Sequence, residues 1–476
     1  MTNPEATITD TEPGGRTGIV WFRRDLRVGD HPALSRALAE CDRVRAVFVL
    51  DEPGLRPIGG ASRWWLHGSL ERLASDLADL GIPLEIRTGD SVAHLRDLAR
   101  ATGATRVYAT ARPGAAEREI DEAVREALAM VPGGISLRVS PPDLLVDPGL
   151  RTGEGRPYTV FTPFWRRAQD DLMRQPPRAS LPVPAPARAP QTTNPDAFAR
   201  ALAALGLRPT APDWAAGWED LWNPGERCAH ERLGDFLDED LGDYPDLRDR
   251  PDRRVTSRLS PHLVFGEITV SHIWHAVDAH RRTHPGHGAS FLSELGWREF
   301  AHYQLVHFPD LATLPWRPSF AGFPWPEPDP ALIRAWQTGT TGIDLVDAGM
   351  NELWQTGTMH NRVRMVVASL LTKNLLQHWR VGEEWFWDTL VDADPAANPF
   401  NWQWVAGSGA DAAPYFRIFN PELQRKKFDP NGEYVRRWVP QDELRPAPIV
   451  DLARSREAAL AAYRAREETT PTTSGE

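Results

Sequence analysis

Apolar residues in the first third of the chain follow two alternating rhythms. Short runs at 18–22 (GIVWF), 44–50 (VRAVFVL), 83–87, 106–110 and 135–139 are rich in β-branched and aromatic side chains, so each predicts a strand. Between them, 31–40, 64–80, 92–100 and 117–128 repeat apolar positions at helical spacing. Strand and helix in alternation predict a parallel sheet with helices on both faces and right-handed crossovers. Ligands on such sheets sit beyond the carboxyl ends of the strands. The first predicted strand runs into RRDLRVGD and not into a glycine-rich phosphate turn, which argues against a nicotinamide dinucleotide fold. Arg23, Arg24, Asp25 and Arg27 there read as a salt-bridged loop.

The rhythm breaks between 175 and 212, where PPRASLPVPAPARAPQTTNP predicts an extended connector. Beyond it no strand pattern appears. Helical periodicity returns at 228–241, 262–280, 290–308, 331–338, 346–355, 361–379, 385–391 and 452–466, with no internal repeat. The expected fold class is α/β: an N-terminal doubly wound parallel-sheet domain followed by a large all-helical domain. Its divisions are a disordered tail at 1–16, the α/β domain at 17–145, an extended connector at 146–213, the helical domain at 214–465 and a second tail at 466–476.

Composition narrows this picture. At 476 residues the chain is long enough for two lobes, each with its own core. A net charge of -11 argues against an overall basic coat, so any nucleic-acid surface must be local. Cys41 and Cys228 stand alone, which excludes a disulfide scaffold, a thiolate zinc site and a cysteine-held cluster, and suits a reducing cytoplasm. No apolar span is long enough for a membrane, and the first residues lack the pattern of a secretion signal. The 19 Trp against 7 Tyr are concentrated after Trp214; most of them are expected to pack the helical core, and others can stack on a planar ligand.

Candidate chemistry gathers in the second lobe. Residues 256–260, TSRLS, combine hydroxyls, an arginine and a helix start, a set suited to pyrophosphate; the plainer reading is a cap, Ser260 before Pro261. In FLSELGWREF, Phe291, Glu294, Trp297 and Arg298 recur at spacings that put them on one helical face, where a carboxylate beside an aromatic can meet a polar ring, or where a solvated acid simply borders a core tryptophan. In MHNRVRM, Asn361 and Met365 share a face while Arg362 and Arg364 point elsewhere, one to an internal carboxylate and the other to phosphate; a partly exposed basic helix is the alternative. His360 has no partner at ligand spacing and reads as structural, so no metal site is expected. In NWQW, Trp402 and Trp404 point in nearly opposite directions on a helix. The densest mixture is 391–420, where acids, amides and tryptophans adjoin a small-residue run.

Seven motifs occur in order: WFRRDLR, YTVFTPFW, TSRLS, ELGWREF, MHNRVRM, DADPAANPFNWQW and GADAAPYFRIFNP. Together they resemble the photolyase/cryptochrome family, and within it the cyclobutane pyrimidine dimer photolyases. The resemblance implies an N-terminal antenna domain and a helical domain that buries FAD. It places Tyr244, Thr256, Ser257, Arg258, Leu259 and Ser260 on the phosphate side of the FAD pocket, with Phe291 packing nearby. It makes Arg364 and Asp392 an ion pair beside the flavin, Asp394 a neighbouring contact, and Asn398 the residue opposite flavin N5. On the lesion side it places Glu294, Asn361, Trp297, Trp404 and Met365, with Arg298 beside them. Arg248, Arg362 and Arg417 fall where the family contacts DNA phosphates. Trp402, Trp379 and Trp325 resemble the relay that reduces the flavin.

The implied reaction is light-driven electron transfer from excited reduced FAD to a flipped dimer, with return of the electron after the ring opens. Glu117 resembles an antenna contact, with methenyltetrahydrofolate expected ahead of 8-hydroxy-5-deazaflavin. Thr358 departs from the commoner tryptophan before MHNR. The implied partner is ultraviolet-damaged DNA, acted on by a cytoplasmic monomer with no obligate protein partner and no membrane. A (6-4) photoproduct photolyase would carry histidines where Asn361 and Met365 stand. A cryptochrome-type blue-light receptor is the alternative from another functional class.

Overall fold

The computed structural model describes residues 15–192, 194–412, 416–439 and 445–469. Among them, β1 (Thr17–Phe22), β2 (Arg43–Leu50), β3 (Leu84–Thr88), β4 (Arg106–Thr110) and β5 (Ser136–Ser140) form one sheet in the order β3-β2-β1-β4-β5. Every pairing is parallel, with Ile19 opposite Arg45 on one side and Val107 on the other. The central strand is buried along its whole length because helices cover both faces. Ile19 and Trp21 join the core beneath α3 (Ser91–Thr102) and α4 (Ala115–Ala129). Val20 and Phe22 join the opposite core, with α1 (Pro32–Glu40) and α2 (Gly60–Asp79). Each such side chain contributes about 1.5–3 kcal/mol of burial. The α/β reading therefore holds, with element ends moved by only a few residues.

The stretch 146–213 is not extended throughout. It contains α5 (Phe161–Arg174) and α6 (Pro195–Ala204), the latter capped by the Asn194 carbonyl oxygen accepting from Ala197 N. The proline-rich run between them has no regular structure, and its backbone is pinned to the first domain by Ala187 N to Leu80 O and Ala189 N to Asp42 O, both 2.9 Å. Residues 1–14 and 470–476, most of the two predicted tails, lie outside the described residues.

The second domain continues as α7 (Glu226–Asp235), α8 (Tyr244–Leu247), α9 (Ser260–Val264), α10 (Val270–Thr283), α11 (Ala289–His307), α12 (Pro330–Gln337), α13 (Asp344–Thr356), α14 (Asn361–Ser369), α15 (Trp379–Thr389), α16 (Ala397–Ala406), α17 (Pro421–Phe428), α18 (Glu433–Trp438) and α19 (Leu452–Thr469). Two helices predicted as continuous are broken. The segment 262–280 divides at Gly266, which adopts φ +64° and passes so close to the first domain that a Cβ would lie 2.2 Å from Arg24 O. The segment 361–379 ends in a wide turn at Leu370–Asn374, and Trp379 opens the next helix behind the cap of His378. Apolar residues flank both breaks: across the second, Val366 and Trp379 join one core, and across the first, Phe265 joins the core shared with the first domain while Val270 packs with α11.

The domains share one core. Trp64 and Trp65 of α2 meet Trp218 and Trp222 edge to face, each pair 5.4 Å between ring centres, and this layer is continuous with the residues under the sheet. Trp65 Nε1 donates 3.2 Å to the fully buried Glu267, which also accepts from Ser69 and lies 2.5 Å from His262 Nδ1. The RRDLR loop is the predicted salt-bridged element, with Asp25 3.1 Å from His31 and Arg23 3.7 Å from Asp121. Arg27 also donates across the boundary to Gly266 O at 2.8 Å. Among the described residues no helix is long and apolar enough to cross a membrane.

Candidate functional site

The helices α11, α14 and α16 supply the candidate residues, and α16 packs against the other two. The segment entering α16 is built around two aspartates. Asp392 is gripped by Arg364 Nη2 at 3.1 and 3.0 Å to its two oxygens, so the expected ion pair is formed. Arg364 is itself aimed by Met359 O and by the Thr358 hydroxyl, at 2.7 and 3.3 Å. Ser260 Oγ donates 2.7 Å to Asp392, joining the TSRLS segment to the same carboxylate. The capping alternative for Ser260 fails, because Leu259 occupies the cap position and Ser260 is the first residue of α9.

Asp394 does a different job. Its Oδ1 accepts from Ala396 N and Ala397 N at 2.8 Å each, starting α16, while Oδ2 lies 3.5 Å from His302 Nε2. Burial alone would raise this carboxyl, but His302, Arg298 and the amides hold it well below the usual carboxylate range. Arg298, expected on the DNA side, is held inside, 2.7 Å from the buried Glu299. Glu299 also accepts from Leu145 N and Val146 N, and burial pushes its carboxyl up.

Asn398 is the second residue of α16 and is buried. Its amide nitrogen donates to Glu383 Oε1 at 2.8 Å and to Glu383 O at 3.0 Å. Both N–H bonds are thereby engaged, and the carbonyl oxygen is the group left to receive a donor. Glu383 is in turn held by both terminal nitrogens of Arg56, at 2.7 and 2.9 Å, from the first domain. Burial raises the Glu383 carboxyl, and Arg56 opposes that rise.

Around the TSRLS segment, Tyr244 is buried edge-on to Phe236 and Phe291, and burial pushes its phenol up to about 12. Arg258 lies 4.0 Å over Trp222 with φ +53°, and burial with Arg232 and Arg254 nearby lowers its guanidinium to about 10. Thr256 and Ser257 are half-buried beside it, and Leu259 is fully buried.

On the other side, Glu294 pairs with Arg248 at 2.5 Å and Arg362 pairs with Asp249 at 2.7 Å. Trp297 is stacked on Phe161 of α5, 3.7 Å between ring centres and 10° between planes, so one face is covered. Asn361 is exposed at the first position of α14, and Met365, one turn on, is half-buried. The two tryptophans of NWQW diverge as expected: Trp402 is buried against Phe386, Trp336 and Gly382, while Trp404 is half-buried with its Nε1 donating to Asp411 O at 3.1 Å. Arg417 lies over the Phe419 ring at 5.9 Å. Trp379 and Trp325 flank His378, at 5.6 and 5.2 Å. Glu117 does not join this site; its carboxylate accepts from Gly114 N at the start of α4.

Two family models match, the DNA photolyase model over residues 18–187 and the FAD binding domain of DNA photolyase over 291–445. A deoxyribodipyrimidine photo-lyase from Agrobacterium fabrum is 44% identical over 95% of this chain and 98% of its own length. The chain belongs to the photolyase/cryptochrome family. A crystal structure of a bacterial class III photolyase from Agrobacterium tumefaciens superposes with a TM-score of 0.87 at 42% identity, covering 97% of this chain and all of that one. Cryptochrome-2 of Arabidopsis thaliana is 37% identical over 89% of this chain and 70% of its own. The motifs single out Arg364, Asp392 and Asn398. They do not single out Glu383, Arg56, His302 and Asp249, which hold or adjoin candidate residues. Glu383 had a signal: with Trp379, Gly382, Phe386 and Trp387 it lies on the buried stripe of α15, where a carboxylate needs a partner.

Proposed function

We propose that the chain is a light-dependent DNA lyase that splits cyclobutane pyrimidine dimers, using reduced FAD held in the helical domain. The observation that carries this reading is Asn398. An amide whose nitrogen is fixed on Glu383 presents an acceptor suited to the N5–H of a reduced flavin. The donor set fits that cofactor further, with the Arg364–Asp392 pair for the ring and Tyr244, Thr256, Ser257, Arg258, Leu259 and Ser260 for its phosphate side. When bound and reduced, FAD supplies the electron that light sends to the dimer and that returns once the ring has opened.

The chain's own residues do the rest. Glu294 and Asn361 offer a hydrogen-bond acceptor and a donor to an extruded base pair. Trp297 has one face covered by Phe161 and the other for a base; Trp404 is steadied by Asp411 O as a second wall, and Met365 fills beside it. Extrusion suits photolyases because a crosslinked pyrimidine pair is poorly stacked. Arg248, Arg362 and Arg417 meet phosphates. Trp402, Trp379 and Trp325 carry electrons inward from the surface.

Asn361 and Met365, where histidines would suit a (6-4) lesion, favour the cyclobutane dimer. We further propose that the protein works as a cytoplasmic monomer on ultraviolet-damaged DNA. A second chromophore belongs to the proposal, methenyltetrahydrofolate ahead of 8-hydroxy-5-deazaflavin, with Glu117, one carboxylate oxygen of which accepts from Gly114 N, as its candidate contact.

The test is repair of oligonucleotides carrying either lesion, in light and in darkness. Light-dependent reversal of cyclobutane dimers alone is expected. Absence of repair by fully reduced protein would favour the cryptochrome-type receptor, a reading kept open by the 37% identity to Cryptochrome-2.

A further inference from the structure

Immediately after α8, two adjacent residues of opposite charge reach in different directions. Arg248 extends to α11, where its Nη1 lies 2.5 Å from Glu294 Oε1 and 3.3 Å from Ser290 Oγ. Asp249 extends to α14, where its Oδ2 lies 2.7 Å from Arg362 Nη2. Both pairs sit at the rim, with side-chain exposures of 22% and 32% for the first and 18% and 35% for the second. The Arg362 grip is incomplete, because its Nε is buried and meets no hydrogen-bond acceptor among the described residues. Two of the three arginines proposed to hold DNA phosphates are thus already occupied by carboxylates of the same chain.

We propose that Glu294 and Asp249 are internal stand-ins for phosphate: Glu294 makes backbone capture by Arg248 conditional on the lesion, and Asp249 restrains capture by Arg362 on any DNA. This rests on the repair reading above. A guanidinium prefers a bidentate anion, and a DNA phosphate competes directly with the carboxylate. Displacing Glu294 leaves a half-buried carboxylate uncompensated, which opposes binding. On undamaged DNA nothing replaces the lost arginine. An extruded pyrimidine dimer does, because its imide N–H groups donate to the freed carboxylate. Asp249 has no such second partner and acts as a brake on DNA of either kind. Asp249 therefore restrains overall DNA affinity, and the preference for the lesion rests on Glu294.

The test measures equilibrium binding, in the dark and at fixed salt, to matched duplexes with and without one cyclobutane dimer. Far-ultraviolet circular dichroism and FAD content control for folding. Glu294→Gln is expected to bind undamaged DNA roughly threefold to tenfold more tightly and damaged DNA more weakly. Asp249→Asn is expected to tighten both by roughly threefold, and Asp249→Ser serves if that variant does not fold. If Glu294→Gln leaves undamaged-DNA affinity unchanged or lower, or the Asp249 variant weakens damaged-DNA binding, the stand-in role is overturned. If the parent itself does not prefer the damaged duplex, the repair reading fails instead.

Discussion

Asn398 and Glu383 are joined by two hydrogen bonds, 2.8 Å to the side chain and 3.0 Å to the main chain, and Glu383 is clamped from the other domain by Arg56. The first domain therefore helps to set which end of the Asn398 amide faces the cofactor. Glu383→Gln replaces a group that can only accept with an amide that can present either end, leaving the main-chain carbonyl as the one fixed acceptor for Asn398. The expected result is that FAD is retained but reduced flavin reoxidises in air about fivefold faster, the equivalent of one hydrogen bond of about 1 kcal/mol. Recovery of the oxidised flavin absorbance measures it, and an unchanged rate would place the control elsewhere.

Asp392→Asn tests the ion pair. Arg364 is left three-quarters buried without its counter-charge, and the Ser260 hydroxyl loses its charged acceptor. A loss of about 2–3 kcal/mol in stability is expected, the value for a buried pair reduced for the partial exposure of the arginine. FAD content should fall in parallel. Denaturant unfolding with and without added FAD separates the two effects.

His360 gives a pH dependence with a definite sign. Burial lowers its imidazole from the usual 6.5 to about 4, its Nδ1 accepts from Arg362 N, and its buried Nε2 meets no hydrogen-bond partner among the described residues. A group whose pKa is lower in the folded state stabilises the fold above its unfolded value and loses that contribution as pH falls through the interval. At 1.36 kcal/mol for each tenfold step, roughly 3 kcal/mol should disappear between pH 6.5 and 4. His360→Asn keeps a capping acceptor and removes the titration. Urea midpoints at pH 7 and pH 4.5 should therefore differ less in the variant than in the parent.

Trp402→Phe separates electron supply from repair. Trp402 is buried between Phe386 and Trp336, so phenylalanine keeps most of the packing. Photoreduction of oxidised flavin should fall at least tenfold, while dithionite-reduced protein still repairs dimers in light. Loss of both activities, with fold and FAD intact, would remove Trp402 from the relay.

The sheet was legible because its strands are buried on both faces and its helices are amphipathic, so period alone separates them. Helix 361–379 was misread because Leu370–Asn374 stays buried through its wide turn, and burial is what periodicity records. The ion pair of Arg364 and Asp392 was readable from a motif. The ties from Glu383 to Arg56 and from Asp249 to Arg362 span 327 and 113 positions in the chain, and nothing local announces them. Glu117 also has a local role, since a carboxylate in the first turn of a helix finds the free N–H groups there.

The tryptophan layer makes one core of the two domains, so parting them would expose its buried rings. Closure of one domain on the other around a duplex carries that cost. If the protein repairs dimers, bending and opening by the DNA avoid it, and sequences that kink easily beside a lesion should be mended first.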